Sequence, residues 1–235
     1  MKVLVIVPAF NEEASIGATL YDLISYSGFD IVVIDDGSVD STPSICAQLS
    51  VNCISLPFNM GLAGAFQTGM RYAYDNGYDA IIQFDADGQH LAKYIGSIIT
   101  ELNNGYDVVI GSRFKCRKPE RSLRQFGAAL IRAGIKLTTG KWLTDPTSGM
   151  RAYSRRIIDT YVNGVNFTPE PDTIAFFIRN GAHVKEIQVE MRERMAGVSY
   201  LNSWNSVKYM IRMTMCIFFI QFCKEKISIE EKVKA

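Results

Sequence analysis

The strongest constraint on the fold is an alternation through the first half of the chain. Short apolar runs rich in β-branched residues, at 3–7, 31–34, 52–56, 80–84 and 108–110, are separated by longer stretches at 13–26, 42–49, 62–76 and 94–103. Runs that are apolar at nearly every position read as strands covered on both faces, and the longer stretches, several with a 3.6-residue period, read as helices. The alternation predicts an α/β chain with a mainly parallel sheet between helical layers. In such sheets ligands gather at the carboxyl ends of the strands. The second half is less regular. It predicts helices over 122–139, 172–180 and 204–224, a polar turn-rich segment over 145–153, and a strand over 184–191. No Gly/Ser linker or repeat divides the chain, so the expectation is one catalytic-sized domain over 1–200, followed by an amphipathic helix and tail over 201–235.

Composition enters by what it excludes. A hydrophobic fraction of 48% rules out a disordered chain. Twenty-five basic against 24 acidic side chains give no excess of the kind that nucleic-acid binders carry. The five cysteines are scattered without a C-x-x-C and there are two histidines, so a zinc cage of the usual spacing is missing and reduced thiols in a cytosolic chain are expected. The apolar start gives way at once to Asn11-Glu12-Glu13, which no signal peptide fits. The segment MTMCIFFIQFC at 213–223 is too short to span a bilayer, which takes about 20 residues as a helix, and is expected to be buried or interfacial.

Polar residues crowd the predicted strand ends. Pro8-Ala9-Phe10-Asn11-Glu12 follows the first, Asp35-Asp36-Gly37-Ser38 the second, Asp85-Ala86-Asp87-Gly88-Gln89-His90 the fourth, and Gly111-Ser112-Arg113 the fifth. Two carboxylates one residue apart, Asp85 and Asp87, suit a hard cation such as Mg²⁺ or Mn²⁺, which also takes phosphate oxygens, with Gln89 adding a carbonyl. The plainer alternative is an Asx turn. Asp40 to Pro43 is explained as a helix start, whereas Asp35 and Asp36 are not, and a carboxylate there suits a base edge or ribose. The first helix lacks G-x-G-x-x-G, which argues against a nicotinamide enzyme.

Taken in order, VIVPAFNEE, VVIDDGSVDST, NMGLAGAFQTGM, QFDADGQH, GSRF and DPTSGMRAY resemble family 2 glycosyltransferases and their GT-A nucleotide-diphospho-sugar transferase fold, over roughly residues 1–200. The later stretch, from Pro169-Glu170-Pro171 to Arg194-Met195-Ala196-Gly197-Val198-Ser199, resembles the polyprenyl-phosphate branch, which includes dolichol-phosphate mannose synthases and undecaprenyl-phosphate sugar transferases. The resemblance implies that Pro8, Phe10, Glu12, Asp35 and Asp36 line the nucleotide, and that Asp85, Asp87 and Gln89 hold Mg²⁺ or Mn²⁺ against the donor diphosphate. It implies that Arg113, Ser148 and Arg151 meet phosphates, that Arg194 and Ser199 belong to a lid, and that Glu170 or Asp172 contacts the donor sugar. Asp145 is the candidate for a base or an acceptor-orienting acid.

The implied reaction is inverting transfer of one sugar from a UDP- or GDP-sugar to a polyprenyl phosphate, with the protein peripheral at the cytoplasmic face of the membrane. A lipid phosphate is largely dianionic at neutral pH, so positioning by arginines would matter more than a base. Aromatics, methionines and cations in the last helix suit a lipid interface, and the resemblance admits a small membrane-protein partner. Exposed, the same apolar face would favour self-association into a homo-oligomer. Two further readings stay open: transfer to a glycan hydroxyl, and a non-catalytic nucleotide-sugar-binding subunit.

Overall fold

The computed structural model describes residues 1–116, 123–164, 167–193 and 203–220. The first half has the predicted alternation. Strand β1 (Val3–Ala9) leads to helix α1 (Ile16–Ile24), β2 (Asp30–Asp35) to α2 (Thr42–Gln48), β3 (Asn52–Ser55) to α3 (Gly61–Asp75), and β4 (Ala80–Gln83) to α4 (Ile95–Asn103), before β5 (Val108–Ser112). Next come α5 (Leu123–Thr139), β6 (Arg151–Ser154), α6 (Arg155–Asn163), α7 (Pro171–Arg179), β7 (Val184–Gln188) and α8 (Ser203–Met215), which a π-helical turn over Cys216–Ile220 extends.

Seven strands form one sheet in the order β3-β2-β1-β4-β6-β5-β7. All neighbours are parallel except β6, which runs antiparallel to both β4 and β5. This mostly parallel sheet between helical layers is the GT-A-like α/β arrangement expected. Strand β6 begins within the segment read as turn-rich, and helix α6, which follows it, lies where the sequence reading placed no element. Its four residues, Arg-Ala-Tyr-Ser, carry no apolar run and only weak alternation, so the strand is created by the gap between β4 and β5 that it fills.

The reversal of β6 has a direct consequence. Arg151, at its start, pairs with Gln83 at the end of β4 and with Ile110 near the end of β5. The loop entering β6 therefore reaches the same sheet edge as the loops leaving the parallel strands. Strand β7 ends there too, since Gln188 pairs with Ser112.

The sheet separates two cores. One layer packs Val3, Val5, Val7, Val33, Ile82 and Val109 under α1 and α4, with Ile16, Leu20 and Leu23 at 3–4-residue spacing on α1. The other packs Leu4, Ile6, Ile34, Ile81, Ile110 and Tyr153 under α3, α5, α6 and α7. Alternate residues of each strand feed opposite layers, which is why these strands are apolar throughout. Helix α8 joins the second core: Met210, Met213 and Ile217 are buried in it. Met210 lies on Gly127 of α5, and Ile217 and Phe218 lie on Gly134, so glycines seven residues apart admit side chains at the same spacing. The expected boundary at residue 200 falls outside the described residues, and α8 beyond it shares the core of the domain.

Candidate functional site

Pro8 sits in β1 beyond its last pairing with β4, Ile6 with Gln83, where the missing N–H costs no bond on that side. The loops after β1 and β2 are stitched together. Ser38 Oγ accepts from Asn11 N–H at 2.9 Å, Asn11 Oδ1 accepts from Val39 N–H at 2.9 Å, and Thr42 Oγ1 accepts from Glu12 N–H at 2.9 Å. Asn11 takes a left-handed φ of 53°, which asparagine tolerates better than most residues. Glu12 Oε2 accepts from Ser15 Oγ at 2.6 Å.

Asp35 and Asp36 are both buried at the end of β2. Asp35 Oδ1 accepts from Ser38 N–H at 3.0 Å and Asp36 Oδ1 from Met60 N–H at 2.7 Å. Gly37, at φ 74°, has no room for a Cβ, which would fall 2.9 Å from the Phe58 carbonyl carbon. The pair thus faces a close backbone crossing, and Asp36 ties the segment before α3 to β2. Phe10 is 44% exposed beside this array, an aromatic face without a partner layer of its own.

The Asp85-Ala86-Asp87 loop follows β4. Asp85 is partly exposed, whereas Asp87 is 4% exposed and its Oδ1 accepts from Gln89 N–H at 3.0 Å. His90, buried edge-on against Phe84, accepts from Asp85 N–H through Nδ1 at 3.0 Å, and its Nε2 lies 3.5 Å from Asp85 Oδ2. Sequence reading passed over this histidine. A Cβ at Gly149 would collide with the Asp85 carboxylate, so the loop before β6 presents bare backbone to the acid. Gln89 is bound through its backbone carbonyl to Arg192 N–H at 2.9 Å, which ties this loop to the segment after β7.

Arg113 follows β5 and grips Asp145 bidentately, Nε to Oδ2 at 2.7 Å and Nη2 to Oδ1 at 2.9 Å, while its own N–H adds a third bond at 3.1 Å. Burial works against the charge of Arg113, but Asp145 and the nearby Asp85 carboxylate outweigh it and leave its pKa above the ordinary value. Asp145 is buried with both oxygens engaged, so it orients a guanidinium and has no lone acceptor facing a substrate proton. Glu186 of β7, also unmarked in the sequence, receives the N–H groups of Thr144 and Asp145 at 2.8–2.9 Å and so fixes this loop.

Ser148 is buried, with its Oγ accepting from Met150 N–H at 3.3 Å. Arg151 is 2% exposed, and it donates to the carbonyl oxygens of Ser148 and Pro146, each at 2.7 Å. It closes the turn from inside the fold, a task different from the phosphate contact expected of it. Glu170 stands half-buried at the N-cap position of α7 without a side-chain bond to the helix, and its Oε2 accepts from Tyr209 OH at 2.5 Å. Arg194 and Ser199 lie outside the described residues.

The donor set after β4 fits a divalent cation. Two carboxylates, one of them open, and an amide side chain are hard oxygen ligands, and Mg²⁺ or Mn²⁺ would complete its shell with water and phosphate. Among the described residues no three His, Cys, Asp or Glu side chains form a closed cage. One edge therefore gathers two acids for a cation, an oriented guanidinium, and two buried acids beside an exposed aromatic ring.

Comparison with known proteins bears on the family and the fold. The model of glycosyl transferase family 2 matches residues 4–162. A UDP-N-acetylglucosamine–dolichyl-phosphate N-acetylglucosaminyltransferase of Methanococcus voltae is 27% identical over 79% of the chain and 83% of its own length. A polyprenol monophosphomannose synthase of Mycolicibacterium smegmatis is 25% identical over 90% of the chain and 85% of its own length. In fold, the chain superposes on glucosyl-3-phosphoglycerate synthase from Mycobacterium tuberculosis, crystallised with Mn²⁺, UDP and phosphoglyceric acid, with a TM-score of 0.68 at 19% identity, over 94% of this chain and 78% of that one.

Proposed function

The chain belongs to glycosyl transferase family 2, and from that premise we propose that it moves a single sugar, with inversion, from a UDP- or GDP-sugar to a polyprenyl phosphate at the inner face of the cell membrane. The observation that carries the reading is the pairing of Arg113 with Asp145 within the field of Asp85. It sets a fixed cation beside the acids suited to a metal–diphosphate. The names of the relatives from Methanococcus and Mycolicibacterium support a polyprenyl-phosphate acceptor.

In this reading Pro8, Phe10, Glu12, Asp35 and Asp36 form the nucleotide side. Asp85, Asp87 and Gln89 would hold Mg²⁺ or Mn²⁺, which when bound supplies Lewis-acid neutralisation of the departing diphosphate. Arg113 orients the acceptor phosphate. An acceptor phosphate oxygen attacks the anomeric carbon from the face opposite the leaving group. The bond from that carbon to the diphosphate oxygen breaks, and its electron pair leaves with the nucleoside diphosphate. The acceptor is already an anion near neutral pH, so no side chain need remove a proton. That agrees with an Asp145 whose oxygens are both occupied. Ser148 and Arg151 support the turn that carries Gly149, and Arg194 and Ser199 are assigned to a covering segment.

Exposed apolar side chains form stripes on the outer helices, Leu130 and Leu137 on α5 and Ile211, Met215 and Phe219 along α8 and its extension, with exposed Lys208 and Arg212 beside them. They support peripheral contact with a bilayer. Among the described residues no helix is long and apolar enough to cross one.

Nucleotide diphosphate release across a panel of UDP- and GDP-sugars, with Mn²⁺ or Mg²⁺, tests the proposal. Release from one donor that requires a short polyprenyl phosphate is the expected result. Release that ignores the lipid and responds to a glycan overturns the acceptor. Donor binding without release under any condition favours a binding subunit.

A further inference from the structure

Behind the catalytic edge, between the sheet and α7–α8, lies a polar layer that the reaction does not use. Arg151 is its centre, buried on the same face of β6 as Tyr153. Burial opposes its charge, and Tyr153, Tyr209 and Glu170 sustain it. Glu170 in turn is held by Tyr209 OH at 2.5 Å, the described side-chain bond from α8 to the α7 cap. Gln83 Oε1 and Tyr161 OH are buried here without hydrogen-bond partners among the described residues. A layer built for stability alone would satisfy such groups or replace them with apolar ones.

The layer is joined to the edge through one turn. Arg151 donates to Pro146 and Ser148 carbonyls, Ser148 N–H donates to Asp145 carbonyl oxygen at 3.2 Å, and the same turn sets Gly149 against Asp85 and Asp145 against Arg113. We propose that Tyr209 is a positioning residue of the site: by holding Glu170 within the field of the buried Arg151 guanidinium it keeps the 145–149 turn closed, and so couples seating of the C-terminal helix to the placement of Asp85 and Arg113. The consequence for ligands rests on the proposed metal–diphosphate role of that edge. The coupling itself does not.

Tyr209→Phe removes the hydroxyl and leaves the ring. Hydrogen–deuterium exchange on the unliganded protein is the first measurement. Amides of 146–150 should exchange faster in Tyr209→Phe, with protection in β1 and β2 unchanged. Glu170→Ala should do the same, the double variant should add nothing to either, and Glu170→Gln should recover part of the protection. In calorimetric titration, Mn²⁺-dependent binding of UDP or GDP should weaken about three- to tenfold in each single variant, without further loss in the double, as for residues acting through one network. Unchanged exchange at 146–150, additive losses, or loss of protection across the whole sheet overturns the coupling. If the wild type binds neither nucleotide with Mn²⁺, the metal–diphosphate reading fails, and the exchange data still decide whether Tyr209 holds the turn.

Discussion

The two sides of the sheet edge are built differently. On one side, over β1, β2 and the segment before α3, acids are steadied by backbone N–H groups, as Asp35 is by Ser38 and Asp36 by Met60. Loops are joined there by short polar side chains such as Asn11, Ser38 and Thr42. On the other side, over β5, β6 and β7, guanidinium groups are steadied by oxygens: Arg113 by the Asp145 carboxylate, and Arg151 by the Pro146 and Ser148 carbonyls, with Tyr153, Tyr209 and Glu170 sustaining its charge. A hydrogen-bonded cradle leaves acceptor capacity on its carboxylates, suited to hydroxyl and ring N–H groups. An ion-paired frame holds a cation rigidly, suited to phosphate. The metal-suited acids lie at the seam, where Asp85 meets Gly149 of the ion-paired side.

The comparison breaks most severely at the seam. Asp87→Ala should lower transfer on the order of a thousandfold, as when a charge-stabilising group is removed from a leaving-group site, and diphosphate release with excess donor measures it. Retention of activity would remove the metal from the account. Arg113→Lys keeps the charge but cannot grip both Asp145 oxygens, and should lower kcat about a hundredfold with donor KM little changed, the scale expected for a displaced reacting group. Steady-state kinetics with varied acceptor and donor separate the two constants.

Asp36→Asn should act on the opposite constant. It weakens a cradle that accepts from Met60, so donor KM should rise about tenfold with kcat nearly kept, the worth of one charge-assisted hydrogen bond. A fall in kcat instead would mean the two sides are not separable. The smallest effect concerns pH. Burial, before any other cause, holds the Glu170 carboxyl above its usual 4.5, although Tyr209 and Arg151 pull the other way. A raised folded-state pKa contributes stability in full below that usual value and loses it as pH rises through the folded value. The melting temperature of the wild type relative to Glu170→Gln should therefore fall from about pH 4 toward pH 7, by a few degrees at most. A rise would show that ion pairing outweighs burial.

The difference between the sides also explains what could be read without coordinates. Acids Asp35, Asp36, Asp85 and Asp87 and Arg113 stand directly after apolar runs, and the rule that ligands gather at strand ends places them from sequence alone. His90 and Glu186 were missed because each serves by steadying a neighbouring segment, His90 its own loop and Glu186 the one before β6: a buried His beside Phe84 and a Glu in a half-buried strand look like ordinary structure. A histidine three residues past the acid pair was the available signal for the first. For the second there was none.

Alternating β-branched runs and helical stretches, with polar residues at each run's end, determined by themselves a mostly parallel sheet and the edge where chemistry would sit. Those patterns are local, because burial on two faces leaves its mark on every residue of a strand. The insertion of β6 against the direction of its neighbours, the closure of the 145–149 turn around Arg151, and the reach of Tyr209 to Glu170 were decided only in three dimensions. Tyr209 and Glu170 lie 39 residues apart in sequence, and the β4 and β6 partners lie farther apart still. A contact of that kind depends on which gap a short, weakly patterned strand fills, and no periodicity records it.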